Sequence, residues 1–236
     1  MVLSDYELEN WRKAVYPDYK SNRTEKRRPI LWSPLRDYIQ DVALDVGDMW
    51  TCEAWPGLEG DDVLGILMTQ PFTMWEDGEE RVCVSIDKDL LTIPGLHANY
   101  LQAFNANEHL SEWLHEQTEE EADRFHLLQS VAGDMVDGYS GCPGIGMVRA
   151  QKILDAGQVL ESHLHTFQRG ARKGDTELRW APGRDGTPWE VVVSIYESAG
   201  LTEAEALMNA RVARICRAED YDFVKQEVIL WTPTAL

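Results

Sequence analysis

Hydrophobic and polar positions alternate with period two over Arg81-Val82-Cys83-Val84-Ser85-Ile86, which predicts a β-strand with Val82, Val84 and Ile86 on one face, closed by Asp87-Lys88-Asp89. Upstream, Val63, Leu64, Ile66 and Leu67 follow the acidic turn Glu59-Gly60-Asp61-Asp62. That pattern predicts a helix starting near Glu59, its carboxylates suited to the positive end of the helix dipole. A loop from Gln70 to Gly78 joins the two. Thr118-Glu119-Glu120-Glu121 is a capping box ahead of the helical stripe Ala122, Phe125, Leu128 and Ala132, which stops at Gly133. A second box, Thr202-Glu203-Ala204-Glu205, predicts a helix to about Ala218, and Glu227 to Trp231 reads as a closing strand. Arg169 to Gly186, rich in Gly, Arg and Lys, reads as an exposed loop or hairpin. Strands tipped with carboxylates and interleaved with helices predict an α/β sheet whose site lies at the strand C-termini.

The 236 residues suit one α/β domain with a small appendage, and 44% hydrophobic with 27% charged residues is a globular composition. No apolar run approaches the eighteen or more residues that span a bilayer, and Met1 to Glu7 lacks a basic stretch followed by an apolar one. No membrane, no export and a cytoplasmic location are therefore expected, in a host cell if the chain is phage-encoded. Cys52, Cys83, Cys142 and Cys216 are scattered without a Cys-x-x-Cys pair, which predicts neither a zinc site nor a disulfide framework.

A net charge of -19 argues against a polyanionic partner until its distribution is considered. Between Trp11 and Arg36, eight basic residues (Arg12, Lys13, Lys20, Arg23, Lys26, Arg27, Arg28 and Arg36) face two acidic ones, a local +6 on a body carrying -25. A solvated surface is the bland explanation of such a run. The acidic body holds three carboxylate clusters: Glu59, Asp61 and Asp62; Asp87 and Asp89; Asp134 and Asp137. Spacing of three on a helix, or of two at a strand end, lets each cluster present oxygens to one point. Hard divalent cations take such ligands without His or Cys. Each cluster taken singly is equally a capping or turn motif.

Gly141-Cys142-Pro143-Gly144-Ile145-Gly146 precedes an amphipathic helix with Ile153 and Leu154 on its apolar side, and Arg149 and Lys152 add positive charge one turn later. Glycines allow close backbone approach, and a helix N-terminus attracts phosphate. The pattern is that of a helix-hairpin-helix, which grips the DNA backbone without reading sequence.

Glu59-Gly60-Asp61-Asp62-Val63, Ser85-Ile86-Asp87-Lys88-Asp89-Leu90-Leu91 and Gly133-Asp134-x-x-Asp137-Gly138-Tyr139-Ser140-Gly141-x-Pro143-Gly144-Ile145-Gly146, in this order, resemble the flap endonuclease and 5′-exonuclease superfamily. Asp5, Trp11-Arg12-Lys13 and Tyr19-Lys20-Ser21-Asn22-Arg23 are similar to its second-strand aspartate and Tyr-Lys-x-Asn-Arg segment. The Asp137 to Gly141 wording, and the ending from Ala213-Arg214-Ile215 to Leu230-Trp231, resemble the 5′ to 3′ exonucleases of short-tailed lytic phages.

The resemblance implies a PIN-like (resolvase-like) parallel sheet flanked by helices with a C-terminal helix-hairpin-helix region. The expected division is a nuclease domain at 1–108, the hairpin region at 109–160 and an extension packing on the core at 161–236. It implies a Mg²⁺-dependent nuclease acting at 5′ ends of duplex DNA, and on RNA in RNA-DNA hybrids. Asp5, Glu59 and Asp61 would serve one Mg²⁺ and Asp87, Asp89, Asp134 and Asp137 the second, with Asp62 bridging or behind them and Mn²⁺ as a substitute. Lys20 and Arg23 would hold the scissile phosphate. Arg12, Lys13, Gly144, Ile145, Gly146, Arg149 and Lys152 would contact DNA, with K⁺ expected at the hairpin. Trp11, Tyr16 and Tyr19 suit either base stacking or the core.

Family members carry an earlier strand with a further metal-binding aspartate, ahead of the segment that Val2-Leu3-Ser4-Asp5 resembles. The expectation is therefore a chain lacking that strand: either another polypeptide supplies it, or the sequence is a truncated product, or the remaining carboxylates suffice for weak activity, with poor solubility or partner dependence expected of the isolated chain. Two readings from other classes compete: a non-catalytic DNA-binding remnant, and a carboxylate-rich phosphatase for small esters. The hairpin and Tyr19-Lys20-x-Asn22-Arg23 disfavour the phosphatase, because a small substrate gives them nothing to grip.

Overall fold

A computed structural model describes residues 1–5, 9–23, 29–45, 51–71 and 80–233. The expected loop from Gln70 to Gly78 falls mainly outside these residues, as do Lys26, Arg27 and Arg28 of the basic arm. In chain order the elements begin with α1 (Arg12–Val15), α2 (Trp32–Asp45), α3 (Gly60–Thr69), β1 (Val82–Val84), β2 (Gly95–Ala98), α4 (Tyr100–Ala106), β3 (Leu114–Gln117) and α5 (Glu119–Ala132). They continue with α6 (Met147–Ala156), β4 (Gln158–Thr166), β5 (Thr176–Asp185), α7 (Pro188–Ser198), α8 (Glu203–Ala213), β6 (Tyr221–Asp222) and β7 (Glu227–Val228). The α/β class holds, in two compact units: residues 1–125 with 214–231, and residues 126–213 with 232–236.

The boundaries expected at 108 and 160 do not coincide with these units. Residues 114–117 form β3, an antiparallel partner of β2, so the sheet extends past 108. A cut at 160 would fall inside β4, which is zipped to β5 from Gln158↔Asp185 to Thr166↔Thr176.

In the first unit β1 runs parallel to β2, in register Val82↔Leu96, and β2 pairs antiparallel with β3. A parallel bridge joins Val2 to Glu53. The strand at Val82–Val84 forms as predicted, but its apolar face is the more exposed one. Cys83 is buried with Leu90, Ile93 and Ile215, whereas Val84 and Ile86 are exposed. Alternation identifies two faces; which of them meets the core depends on partners far along the chain.

Leu58, Val63 and Ile66 pack with Cys216 and Tyr221 of the returning segment. The approach is close enough to require glycine, since a Cβ on Gly65 would lie 2.2 Å from the Cys216 carbonyl oxygen. The same return explains why α8 stops at Ala213 rather than Ala218. Arg214 leaves the helix to bond Asp220 at 2.8 Å and Glu219 at 2.9 Å, and Arg217 meets Asp123 at 2.7 Å. The closing strand is shorter than expected: β7 pairs with β6 over Glu227 and Val228 alone.

In the second unit, Thr187 and Glu190 form a capping box over the start of α7, with Pro188 in its first turn. The buried face of α7 comprises Val191, Val192, Ile195 and Tyr196, and the Tyr196 hydroxyl donates to the Ser130 carbonyl at 2.7 Å. Both capping boxes read from sequence form, at Thr118–Glu121 and Thr202–Glu205. The stretch from Arg169 to Gly186 is the turn and second strand of the β4–β5 ribbon.

Candidate active site

Glu59 is the N-cap of α3 and Asp62 its third residue, so the spacing that suggested a shared helical face builds a cap. Asp62 is fully buried. Its two oxygens accept from the Arg12 guanidinium at 2.7 Å each, from the Trp11 indole at 3.1 Å and from the Cys216 amide at 3.1 Å. Burial alone would raise the Asp62 pKa; the charge and hydrogen bonds of Arg12, with the amide and indole, outweigh it and hold the carboxyl below its usual range. Arg12 also donates to the Arg214 carbonyl at 2.6 Å. One expectation is thereby corrected: Arg12, 3% exposed, is a structural cation rather than a DNA contact, with Asp62 as its counter-ion.

Asp61, the adjacent residue, has the opposite environment. Burial, then the neighbouring Glu59, Asp62 and Asp87 carboxylates, push its pKa up to about 6 against the lowering effect of Lys20. Glu59 accepts from Lys20 Nζ at 2.6 Å and from the Tyr19 hydroxyl at 2.8 Å. Lys20 itself takes φ of 54°, a left-handed conformation that costs a non-glycine residue energy. Asp5 accepts from the Gly57 amide at 2.7 Å, just ahead of Glu59. The Ser4 hydroxyl oxygen accepts from the Gly60 amide at 3.0 Å, a helix-capping contact that sequence reasoning misses because the two residues lie 56 positions apart.

Asp87 and Asp89 do not project from a strand end. β1 closes at Val84, and Asp87 caps a 3₁₀ turn, Lys88–Thr92, by accepting from the Asp89 amide at 3.0 Å. Asp134 and Asp137 lie beyond α5 in a turn closed by reciprocal bonds between Asp134 and Tyr139, not on a helical face. The Asp134 carboxylate accepts from the Val136 amide at 2.7 Å and the Asp137 amide at 3.3 Å. Glu59, Asp61, Asp87 and Asp89 belong to the first unit, Asp134 and Asp137 to the second.

Among the described residues no group of three or more His, Cys, Asp or Glu side chains is placed to hold a metal ion. The donor chemistry nevertheless fits a hard divalent cation. It consists of carboxylate oxygens with excess negative charge, and Asp61 retains a proton to about pH 6 where a cation would otherwise neutralise the cluster.

The hairpin places Ile145 in the core and leaves Pro143, Gly144 and Gly146 exposed or half-exposed ahead of α6. Gly144 needs its glycine, with φ of 73°. Gly146 does not: its φ of -89° suits any residue, and an added Cβ would meet nothing within 4 Å. Arg149 is exposed on this helix, its guanidinium 3.4 Å from the Gly144 carbonyl oxygen, and Lys152 is exposed one turn later. Lys13 is half-exposed and 3.7 Å from Glu9, and Arg23 is exposed at the end of a 3₁₀ turn.

No protein-family model matches the chain. It is 35% identical over 237 residues to the exodeoxyribonuclease of Enterobacteria phage T3, covering 99% of this chain and 73% of that protein. Identity to the exonuclease of Escherichia phage T7 is 34% over 237 residues, covering 99% and 74%. The flap endonuclease Xni of Shewanella oneidensis is 26% identical over 186 residues, covering 78% of this chain and 67% of that protein.

Proposed function

The chain belongs to the phage 5′–3′ exonuclease family of the flap endonuclease superfamily, a family of nucleases, and on that premise we propose that it hydrolyses phosphodiester bonds at 5′ ends of duplex DNA with divalent cations. The observation that carries this reading is the Asp61 carboxyl, pushed up to about 6 first by burial and then by Glu59, Asp62 and Asp87, because carboxylates so placed suit a bound counter-charge. Asp5, Glu59 and Asp61 would serve one cation, and Asp87, Asp89, Asp134 and Asp137 the second. The chemistry that two such cations supply is activation of water at neutral pH and stabilisation of charge on the attacking and leaving oxygens.

This chain's own residues position the substrate. Lys20, bonded to Glu59 in the structure, turns to the scissile phosphate, and Arg23 binds the same group. Gly144 to Gly146, with Arg149 and Lys152, hold the duplex backbone at a fixed distance and so set where the cut falls. Mg²⁺ is the cation proposed, Mn²⁺ its substitute, and K⁺ the ion proposed for the hairpin. RNA in RNA-DNA hybrids is a second substrate, and a host cytoplasm is the proposed setting.

A 5′-labelled duplex assay titrated with Mg²⁺ tests the reading. Mononucleotide release that falls at least about a hundredfold in Asp87→Ala is expected, an effect of the size seen when a group stabilising transition-state charge is removed. Duplex binding without cleavage at any Mg²⁺ concentration would make the chain a DNA-binding protein instead.

A further inference from the structure

The β4–β5 ribbon takes no part in the function proposed above. Its base is anchored to α7 through the Leu160 amide, which donates to the Ser194 hydroxyl oxygen at 2.9 Å. Beyond that, His163 and Leu164 on β4 and Leu178 and Arg179 on β5 are exposed. A free antiparallel ribbon is marginal in water, and the outer part of this one is exposed on both strands.

Its charge suggests a role. Residues 163–174 carry Arg169, Arg172 and Lys173 and no acidic residue, in a chain of net charge -19. The arginines are also held in place. The Phe167 ring lies 4.0 Å from the Arg172 guanidinium and 5.1 Å from that of Arg179, with the His165 ring edge-on at 5.1 Å. Glu177 accepts from Arg172 at 2.8 Å and from Arg179 at 3.1 Å. Arg172 also lies 3.8 Å from Asp175, so two carboxylates and one ring fix two planar cations at the surface, which lowers the entropy lost when they bind. Arg169 and Lys173 stand at the turn without a side-chain ion pair among the described residues.

Size and position agree with a duplex partner. Nine or ten residues of strand extend about 30 Å, and a two-stranded ribbon is among the elements a DNA groove admits. The helix α6 runs from the hairpin loop at its N-terminus to Gly157, whose φ of 63° turns the chain directly into β4. Ten helical residues span about 15 Å. Hairpin and ribbon root are therefore close enough to meet one stretch of backbone.

We propose that the β4–β5 ribbon is a second duplex-binding element, gripping the DNA backbone through Arg169, Arg172, Lys173 and Arg179. This rests on the DNA reading above.

The test measures binding of the full chain to a 5′-labelled duplex by fluorescence anisotropy, with Ca²⁺ in place of Mg²⁺, across a salt series. Arg169→Glu with Lys173→Glu, and separately Arg172→Ala with Arg179→Ala, are expected to weaken binding about tenfold or more. The slope of log affinity against log salt should fall by roughly 0.9 for each phosphate that the variant no longer neutralises. At saturating duplex, turnover under Mg²⁺ should match wild type while KM rises, and thermal melting should be unchanged. If both ribbon variants bind like wild type while Arg149→Ala with Lys152→Ala binds more weakly, the ribbon proposal is overturned and the DNA reading stands. A wild-type chain that binds no duplex would overturn both. A change of oligomeric state in Leu164→Asp with Leu178→Asp, with both arginine variants binding normally, would make the ribbon a contact between copies and also overturn the proposal.

Discussion

Asp61 and Asp62 stand side by side in the first turn of α3, and their surroundings treat them as different kinds of group. Asp62 is sealed against Arg12 and held ionised, while Asp61 sits among carboxylates and keeps a proton to about pH 6. Burial raises both pKa values, so desolvation does not separate them. What separates them is a cation: one has its own within hydrogen-bond distance, and the other has a surplus of like charge with Lys20 as the opposing influence. The Arg12–Asp62 pair completes the fold. Around Asp61 the neighbouring carboxylates outweigh Lys20.

Arg12→Ala strikes hardest at this contrast, because it gives Asp62 the deficit that Asp61 already has. Losing one partner of a buried pair leaves an uncompensated charge, and destabilisation of about 3–5 kcal/mol is expected in urea titrations. A loss under about 1 kcal/mol would show that Asp62 does not depend on Arg12. Arg12→Lys should recover only part of the difference, since one ammonium cannot occupy both oxygens in the bidentate geometry.

The pH dependence of the two carboxyls runs in opposite directions. Asp61 has a folded-state pKa above that of the unfolded chain, so without metal it favours the fold below about pH 4 and loses that contribution as pH rises through 6. Asp62, held below its usual range, contributes above the unfolded value and loses the contribution as pH falls. Asp61→Asn should therefore be more stable than wild type at pH 7 in EDTA, by about 1–2 kcal/mol once solvent screening is allowed for, and no more stable near pH 4. Excess Mg²⁺ should close the gap from the wild-type side, because an ion that binds the folded chain stabilises it.

Glu59→Gln has the smallest effect, since it removes one contributor from the cluster without touching the Arg12–Asp62 hydrogen bonds. The Asp61 pKa should move down toward its ordinary value, as followed by carboxyl ¹³C shifts in the metal-free protein. An unchanged pKa would mean that Glu59 does not help to hold Asp61 up.

Local chemistry is legible in the sequence wherever a short segment decides its own structure. Thr118–Glu121 and Thr202–Glu205 cap their helices as the motif requires, α3 begins where Glu59 ends the extended chain, and Gly144 takes the conformation its turn demands. Partners distant along the chain are not legible. Arg12 reads as a surface cation because nothing within ten residues shows Asp62, fifty positions away, or the carbonyl of Arg214. The buried face of β1 is hidden for the same reason, because Ile215 is part of what covers Cys83. The first strand of the ribbon has no signature, because residues 158–166 mix two histidines, serine and threonine with exposed leucine and show no clear period. The Asp134 to Asp137 spacing fits a helix and a turn equally well, and Gly133, with φ of 71°, ends the helix first.

The hydrogen bond from Arg12 to the Arg214 carbonyl also sets an order of events during synthesis. A ribosome adding roughly 5–20 residues per second needs about 10–40 s to travel between those two positions. Throughout most of that interval the nascent polypeptide has made Lys20 and Glu59 but lacks the carbonyl and the Cys216 amide that complete their supporting scaffold. A translation product interrupted before residue 214 would carry every acidic motif and still lack two of the bonds that hold the Arg12–Asp62 pair.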